Sequence, residues 1–260
     1  MIKLCVLASG SKGNCTYISD GKTSVLVDIG LSYKTLNFAA TQAEIDLNSV
    51  SAILNTHNHT DHCKGIKTFL NKHDIPVFSH NAGRLPLAKT TGINENKIKG
   101  FDKSFNIGTF TVKPFLVSHD APICCGYSIN NGISKVCIAT DLGKTDDTIL
   151  ENFYKSDICV IESNHDIQML KNSSYPYCLK KRILSEYGHL SNEDAAIAIE
   201  KIVNKGSKNF ILAHLSEENN LPELAFSCIS DYLNKRNIKE GRECNIAVAS
   251  QYKSTKMFCV

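Results

Sequence analysis

The chain has 260 residues, of which 42% are hydrophobic and 21% are charged. This composition excludes wholesale disorder and is sufficient for a full hydrophobic core. The net charge of +3 is too small to indicate nucleic-acid binding by itself. No apolar run approaches the ~18 residues of a membrane span, and the apolar run at the start is too short for a signal peptide. We therefore expect a cytoplasmic protein with no membrane partner.

The predicted secondary structure alternates between short apolar runs and amphipathic stretches along the whole chain. The predicted strands are 3–8, 16–19, 24–28, 52–55, 77–79, 109–117, 126–129, 135–139, 158–162, 209–213 and 245–249. Helices are predicted near 63–72, 145–154, 192–204 and 222–236, the third with a capping-box pattern that begins at Ser191. Because no linker or repeat interrupts this mixture, the sequence predicts one α/β domain over residues 1–260.

The eleven cysteines are scattered between these elements, and no two of them form a Cys-x-x-Cys pair. Several lie inside apolar runs, for example Cys137 and Cys159, where a thiol behaves as a small hydrophobic group. This usage excludes a zinc knuckle or a thioredoxin-type motif and agrees with a reducing cytosol.

A histidine-rich segment, Asn55-Thr-His-Asn-His-Thr-Asp-His62, follows the apolar run 50–54. His57 and His59 are two residues apart on extended chain, so their side chains project from the same side and can share one metal ion. Asp61 and His62 fall on the turn into the next helix and can face a second ion. Three imidazoles and a carboxylate within six residues at a strand end favour a metal centre over a surface histidine cluster.

The His-x-His-x-Asp-His run resembles the signature of the metallo-β-lactamase fold superfamily. Other matching residues, each after an apolar strand, occur in the expected order: Asp28, His119, Asp141 and His214. The resemblance implies a first ion at His57, His59 and His119, a second at Asp61, His62 and His214, and Asp141 shared between them. The two divalent ions, zinc or manganese, would deprotonate a bridging water that attacks the substrate. Asp61 would also accept a proton from that water, and Asp28 would support the histidine loop from behind.

Further segments extend the resemblance to almost the whole chain. They are residues 9–15, 157–166, 169–177, 179–184, 188–194 and 212–220. Together they resemble the WalJ (YycJ) group of bacterial metallo-β-lactamase-fold proteins, whose members are described as 5′-to-3′ DNA exonucleases. The resemblance implies an αβ/βα sandwich of two mixed β-sheets with outer helices. It also implies a metal-dependent phosphodiesterase, most specifically a nuclease acting on DNA ends.

His189 lies two residues before the predicted helix cap at Ser191, beside free N–H groups and the positive end of the helix dipole. Such a position suits a phosphate group. By resemblance to related nucleases, His189 would contact the scissile phosphate and protonate the leaving oxygen; the alternative is a histidine that caps or packs the loop. Glu162 could orient or charge His189, as a carboxylate does for a general acid.

Substrate contacts are predicted in the basic segment before His189, at Lys181, Arg182 and Tyr177. Lysines and tyrosines interleaved in this way can hold phosphates and stack bases. A solvated helix face explains the same charges equally well. The loop 9–14 likewise fits either a phosphate site made by backbone N–H groups or a tight turn.

Two other functions remain open at the level of the sequence. The same ions could hydrolyse a small phosphodiester or a thioester. Alternatively, the chain could be a non-catalytic metal-binding accessory protein linked to cell-wall signalling, because the WalJ group is named with a two-component system. A purely structural metal site needs no open position for water, which favours the enzyme. DNA is the expected partner, and the sequence leaves protein partners unknown.

Overall fold

Two seven-stranded mixed sheets form the framework of the protein, for which the computed structural model describes residues 1–260. The first sheet contains β1 (Lys3–Ala8), β2 (Cys15–Ser19), β3 (Ser24–Val27), β4 (Ala52–Leu54), β5 (Val77–His80), β6 (Ile98–Phe101) and β14 (Phe258–Cys259). The second contains β7 (Phe105–Ile107), β8 (Phe110–Leu116), β9 (Cys125–Asn130), β10 (Lys135–Ala139), β11 (Ile158–Glu162), β12 (Asn209–Ala213) and β13 (Asn245–Val248).

The strand order is β14-β1-β2-β3-β4-β5-β6 in the first sheet and β13-β12-β11-β10-β9-β8-β7 in the second. Pairs from β3 to β6 and from β10 to β13 are parallel, and the remaining pairs are antiparallel. Neighbouring parallel strands end at the same edge of a sheet. Loops that are distant in sequence therefore meet at that edge, which is where open α/β sheets carry their sites.

The central core lies between the two sheets, since one buried apolar cluster draws residues from both. Val25 and Val27 of β3 belong to this cluster together with Val136 and Ile138 of β10. The alternate residue of β10, Cys137, points to the opposite face and joins the cluster beneath the outer helices. Strands that are buried on both faces have continuous apolar runs in their sequence.

Nine α-helices flank the two sheets. Those beside the first sheet are α1 (Tyr33–Gln42), α2 (Thr60–Cys63), α3 (Ile66–Leu70) and α4 (Arg84–Thr91). Those beside the second are α5 (Asp147–Phe153), α6 (Ile167–Asn172), α7 (Tyr177–Ile183), α8 (Asn192–Val203) and α9 (Pro222–Asn234). The αβ/βα sandwich predicted from the resemblance is confirmed. None of the helices has the length and apolar character needed to cross a lipid bilayer.

The predicted helix over 63–72 is wrong in its bounds, because two short helices, α2 and α3, occupy this region. The break falls near Gly65, where an added Cβ would lie 2.0 Å from the backbone oxygen of Leu31. Helices α1, α4, α6 and α7 and strands β6, β7 and β14 were not predicted. The predicted cap of α8 is confirmed, since the Ser191 side chain accepts a hydrogen bond from the backbone N–H of Asp194 at 3.0 Å.

Candidate metal centre

Loops that follow four strands converge at one edge of the sandwich. The segment after β4, which includes α2, carries four of the predicted ligands, and the loops after β8, β10 and β12 each carry one. The seven side chains are His57, His59, Asp61, His62, His119, Asp141 and His214. The structure therefore brings together every residue that the sequence singled out as a metal ligand, across 158 residues of chain (57–214).

Three histidines form the first group. Ligand nitrogens of His57, His59 and His119 all lie within 4.8 Å of one another. The Nε2 atom of His119 is 3.3 Å from Nδ1 of His59. Three converging imidazole nitrogens are an ordinary protein contribution to a catalytic metal site that keeps an open position.

A second group lies directly beside the first. The Oδ2 atom of Asp61 is 3.4 Å from Nε2 of His62 and 3.5 Å from Nε2 of His214. Asp141 lies between the two groups, with Oδ2 3.2 Å from Nε2 of His62 and Oδ1 3.5 Å from Nε2 of His119. One carboxylate thus faces both groups at once.

Three buried atoms of this centre have no hydrogen-bond partner: His57 Nε2, His214 Nε2 and Asp141 Oδ2. A buried polar atom without a partner costs about 1–3 kcal/mol. A divalent cation would supply the missing partner for all three, because imidazole nitrogen and carboxylate oxygen are ordinary ligands of such metals. The residues present therefore fit divalent metal binding.

Three of the six non-glycine residues with a left-handed backbone lie at the same edge. Asp28, Asp141 and His214 have φ angles of +62°, +60° and +57°, although none is glycine. The left-handed region is uncommon for side-chain-bearing residues and persists only where the surroundings hold it. Each of the three lies one or two residues beyond a strand end. The unusual backbone turns the side chains of Asp141 and His214 into the centre and that of Asp28 against the back of the histidine loop.

Asp28 supports the histidine loop from behind the centre. Its carboxylate accepts hydrogen bonds from the backbone N–H and the hydroxyl of Thr56 and from the amide of Asn55. It also lies 2.7 Å from Nδ1 of His62. A carboxylate on one ring nitrogen fixes the tautomer and directs the other nitrogen, here Nε2, towards the metal position.

Glu162 has the corresponding position on the other side of the centre. Its Oε1 lies 3.0 Å from Nδ1 of His189 and 2.8 Å from Nδ1 of His214. The same carboxylate accepts the backbone N–H groups of Asp141, Leu142 and Leu190. The contact with His189 is the one considered from the sequence, whereas the contact with His214 was not foreseen.

The ionisation of these groups follows from burial and from their neighbours. Burial raises the pKa of Glu162, but the side chains of His189 and His214 outweigh burial and lower this pKa to about 2. Burial lowers the pKa of His214, but without a bound ion the carboxylates of Asp141 and Asp61 raise it to about 10, and a cation at Nε2 would displace this proton. Burial also holds the pKa of His57 well below its usual range. Glu162 is therefore ionised at neutral pH and acts only as an acceptor.

His165 is a buried histidine near Glu162, and neither of its ring nitrogens has a hydrogen-bond partner. Burial lowers the pKa of His165 from its usual 6.5 to about 4. Between these values the unfolded chain binds a proton that the folded chain does not bind. The free energy of unfolding therefore falls as the pH falls from 6.5 to 4.

The His165→Leu variant has no imidazole that could bind this proton in the unfolded chain. The replacement also breaks no side-chain hydrogen bond. We expect the wild type to lose about 3 kcal/mol more stability than His165→Leu between about pH 7 and pH 4, since one pKa unit corresponds to 1.36 kcal/mol. Urea unfolding of both proteins at the two pH values measures the difference. Parallel pH profiles would show that His165 does not titrate in this way.

Two residues that contact the centre were missed as site residues. The Nδ2 atom of Asn14 is 3.0 Å from Nε2 of His62 and 3.4 Å from Oδ2 of Asp61. Asp120 places Oδ1 3.2 Å from Nε2 of His119. Asp120 could have been found, since it directly follows His119 in the chain. Asn14 ends the loop 9–14, for which the sequence predicted only a backbone phosphate site or a tight turn, and its side-chain contacts with His62 and Asp61 arise from the tertiary fold.

The predicted substrate contacts fall on α7 and in two different places. Arg182 lines the cavity of about 230 Å³ that opens over the metal centre. Its Nε lies 3.0 Å from Oδ2 of Asp120. Tyr177 and Lys181 lie on the adjacent face of the same helix. They line a neighbouring groove instead. His189 lines the cavity together with Asp61 and Asp141.

Comparison with known proteins supports this assignment of the fold. The family described as beta-lactamase superfamily domain matches residues 23–215. The chain belongs to this superfamily. The match spans the centre from Asp28 to His214, so all seven clustered side chains lie inside the superfamily domain.

Several relatives within the superfamily match almost the full chain. Exodeoxyribonuclease YycJ of Bacillus anthracis is 37% identical over 93% of this chain and 92% of its own length. Exodeoxyribonuclease WalJ of Streptococcus pneumoniae is 32% identical over 92% of this chain and 91% of its own length. The resemblance to the WalJ (YycJ) group is thereby confirmed.

Solved structures of other proteins share the fold. The metallo-β-lactamase fold protein YhfI from Bacillus subtilis has a TM-score of 0.72 and 17% identity, covering 98% of each chain. The short form of human tRNase Z has a TM-score of 0.65 and 14% identity, covering 99% of this chain and all of its own. At these identities the two structures establish the architecture alone.

Proposed function

We propose that the protein is a dinuclear metal-dependent phosphodiesterase that removes nucleotides from DNA ends in the 5′-to-3′ direction. The observation that carries this proposal is the pair of histidine groups joined by Asp141, which open into one cavity beside His189. The names of the relatives from Bacillus anthracis and Streptococcus pneumoniae, both exodeoxyribonucleases, indicate DNA as the substrate.

The proposed ligand sets follow the two groups. One ion would be held by His57, His59 and His119, the other by Asp61, His62 and His214, with Asp141 shared. Two divalent cations held in this way activate water and neutralise charge on a phosphate oxygen. The mixture of imidazole and carboxylate ligands suits zinc and manganese alike.

The side chains of the cavity would handle the protons. The carboxylate of Asp61 would accept the proton of the attacking water. His189 has Nδ1 against ionised Glu162, which fixes the ring and leaves Nε2 to donate a proton to the leaving oxygen. General acid and base groups placed in this manner each contribute ~10²–10⁴-fold to the rate.

A role on DNA would place the protein in the cytoplasm, and all eleven cysteines are unpaired, in agreement with a reducing compartment. We further infer that residues 1–260 act as one hydrolase domain. This inference is supported by the central core, in which Val25 of the first sheet and Val136 of the second lie in one cluster.

The test uses linear DNA labelled at its 5′ end, with closed circular DNA that carries an internal label as the control for end dependence. Protein loaded with zinc or with manganese is expected to release label from the linear DNA only. A chelator and the Asp61→Ala variant should each abolish release. If no label is released in either metal while a small phosphodiester such as bis-p-nitrophenyl phosphate is hydrolysed, the assignment to DNA is wrong.

A further inference from the structure

A groove with a volume of about 720 Å³ lies over α7, beside the cavity of the metal centre. Tyr175 forms part of the wall of both. On α7, Arg182 faces the cavity and its neighbour Lys181 faces the groove. A polymer that leaves the metal centre past Tyr175 therefore enters this groove.

The groove carries positive charge with no negative charge in its walls. Lys171, Lys180 and Lys181 line it, and no acidic residue does. The ammonium of Lys180 donates to the backbone oxygens of Lys171 and Ser173, both at 2.7 Å, which fixes its position. Because like charges repel one another, three neighbouring lysines without an acidic partner favour binding of a polyanion.

Aromatic faces accompany these charges. Tyr177 is 81% exposed, and Tyr175 is half-buried at the junction with the cavity. Aromatic side chains in a basic groove stack the bases of single-stranded nucleic acid, and this stacking is tolerant of sequence. Bases inside a duplex are already stacked on each other and paired, so they cannot lie on a tyrosine ring. The groove therefore matches an unpaired strand better than a duplex.

We propose that the α7 groove, lined by Lys171, Tyr175, Tyr177, Lys180 and Lys181, binds an unpaired DNA strand and leads its end into the metal centre. This inference rests on the proposed action on DNA ends. Phosphates lie against Lys171 and Lys181, and a base stacks on Tyr177. The protein then binds a DNA end with an unpaired 5′ tail more tightly than a blunt duplex end.

The experiment measures binding by fluorescence anisotropy, with metal-loaded protein and labelled phosphorothioate oligonucleotides that resist cleavage. Tyr177→Ala is expected to weaken binding of unpaired DNA about tenfold, the effect of losing one stacked base. Lys171→Ala combined with Lys181→Ala should reduce the slope of log K against log salt concentration by about 1.4, because each phosphate contact of a single strand contributes ~0.7.

Matched controls carry the same changes elsewhere on the surface. Phe38 is an exposed aromatic residue on α1, and Phe38→Ala controls for Tyr177→Ala. Lys208→Ala with Lys239→Ala removes the same charge from exposed positions beside the starts of β12 and β13, at the opposite end of the sheet from His214. Both controls are expected to bind unpaired DNA as the wild type does.

Two results would overturn the groove assignment while leaving the proposed function intact. One is wild-type binding of blunt duplex as tight as binding of unpaired DNA; the other is wild-type affinity in the Tyr177 and lysine variants. A third outcome would distinguish the groove proposal from the proposed exonuclease activity. Groove-dependent binding of unpaired DNA by a protein that cleaves no DNA end would support the groove and overturn the proposed exonuclease activity.

Discussion

Asp61→Ala is expected to abolish hydrolysis while leaving the fold intact. The carboxylate of Asp61 lies between His62 and His214 at 3.4 and 3.5 Å, so its removal takes away both a proposed ligand and the proposed proton acceptor. Loss of a general base lowers the rate by ~10²–10⁴-fold, and loss of a ligand should place this variant at the upper end. The measurement is release of 5′ label under single-turnover conditions.

The same variant should bind less metal. Because only one of the two proposed ligand sets contains Asp61, metal content is expected to fall from two ions towards one per chain. Asp74→Ala is the matched control, since this carboxylate is 98% exposed, forms an ion pair with Lys97 and belongs to neither ligand group. Full activity of Asp61→Ala with both ions bound would show that Asp61 is neither a ligand nor the base.

The strands of the second sheet show what the sequence can predict. The predicted bounds of β10, β11 and β12 agree with the structure, because each is a continuous apolar run between polar residues. Strands β6, β7 and β14 were missed since they have only two to four residues and lie at or near the sheet edges. Pairing with a neighbour, rather than their own propensity, stabilises such strands.

The missed helices have a related explanation. Helix α1 buries only Leu36 and Ala40, so its apolar periodicity is weak. Helices α6 and α7 have six and seven residues and bury one apolar side chain each, Leu170 and Ile183. Short helices of this kind are fixed by the loops and cores on which they pack, and the local sequence carries little signal of them.

The candidate site also has a part that the sequence predicts and a part that depends on the tertiary fold. The spacing of His57, His59 and His62 indicates their convergence directly, since it lies within one short segment. Glu162 and His214 are 52 residues apart, and their contact depends on β11 lying between β10 and β12. The end of the middle strand then faces residues from both neighbours. Strand order is a tertiary property, and apolar periodicity does not encode it.

Glu162→Gln should consequently be the most destabilising isosteric change in the site. All five polar groups around this carboxylate present an N–H to it, three from the backbone and two from the Nδ1 atoms of His189 and His214. Glutamine has an NH₂ group in place of one carboxylate oxygen. This group donates hydrogen bonds, so it cannot accept them from the surrounding N–H groups. Disrupting one member of a buried charged network costs about 3–5 kcal/mol. Urea unfolding at neutral pH measures this loss.

The pH dependence gives a second readout of Glu162. Its folded pKa of about 2 lies below the usual 4.5, so its ionised form stabilises the protein above pH 4.5, and this stabilisation is lost as the pH falls towards 2. Glu162→Gln should lack that part of the acid profile, which amounts to about 3 kcal/mol. Activity is expected to fall ~10–100-fold as His189 and His214 lose their orientation.

Glu200→Gln is the matched control, because this carboxylate binds Arg236 and Tyr232 on the helical surface, away from the metal centre. Exposed ion pairs contribute about 0–1 kcal/mol, so the control should unfold and hydrolyse DNA nearly as the wild type does. If Glu162→Gln behaved like Glu200→Gln in stability, pH profile and rate, Glu162 would contribute neither to stability nor to catalysis. The orientation of His189 and His214 would then come from the loops alone, whose strained backbone already directs His214 into the centre.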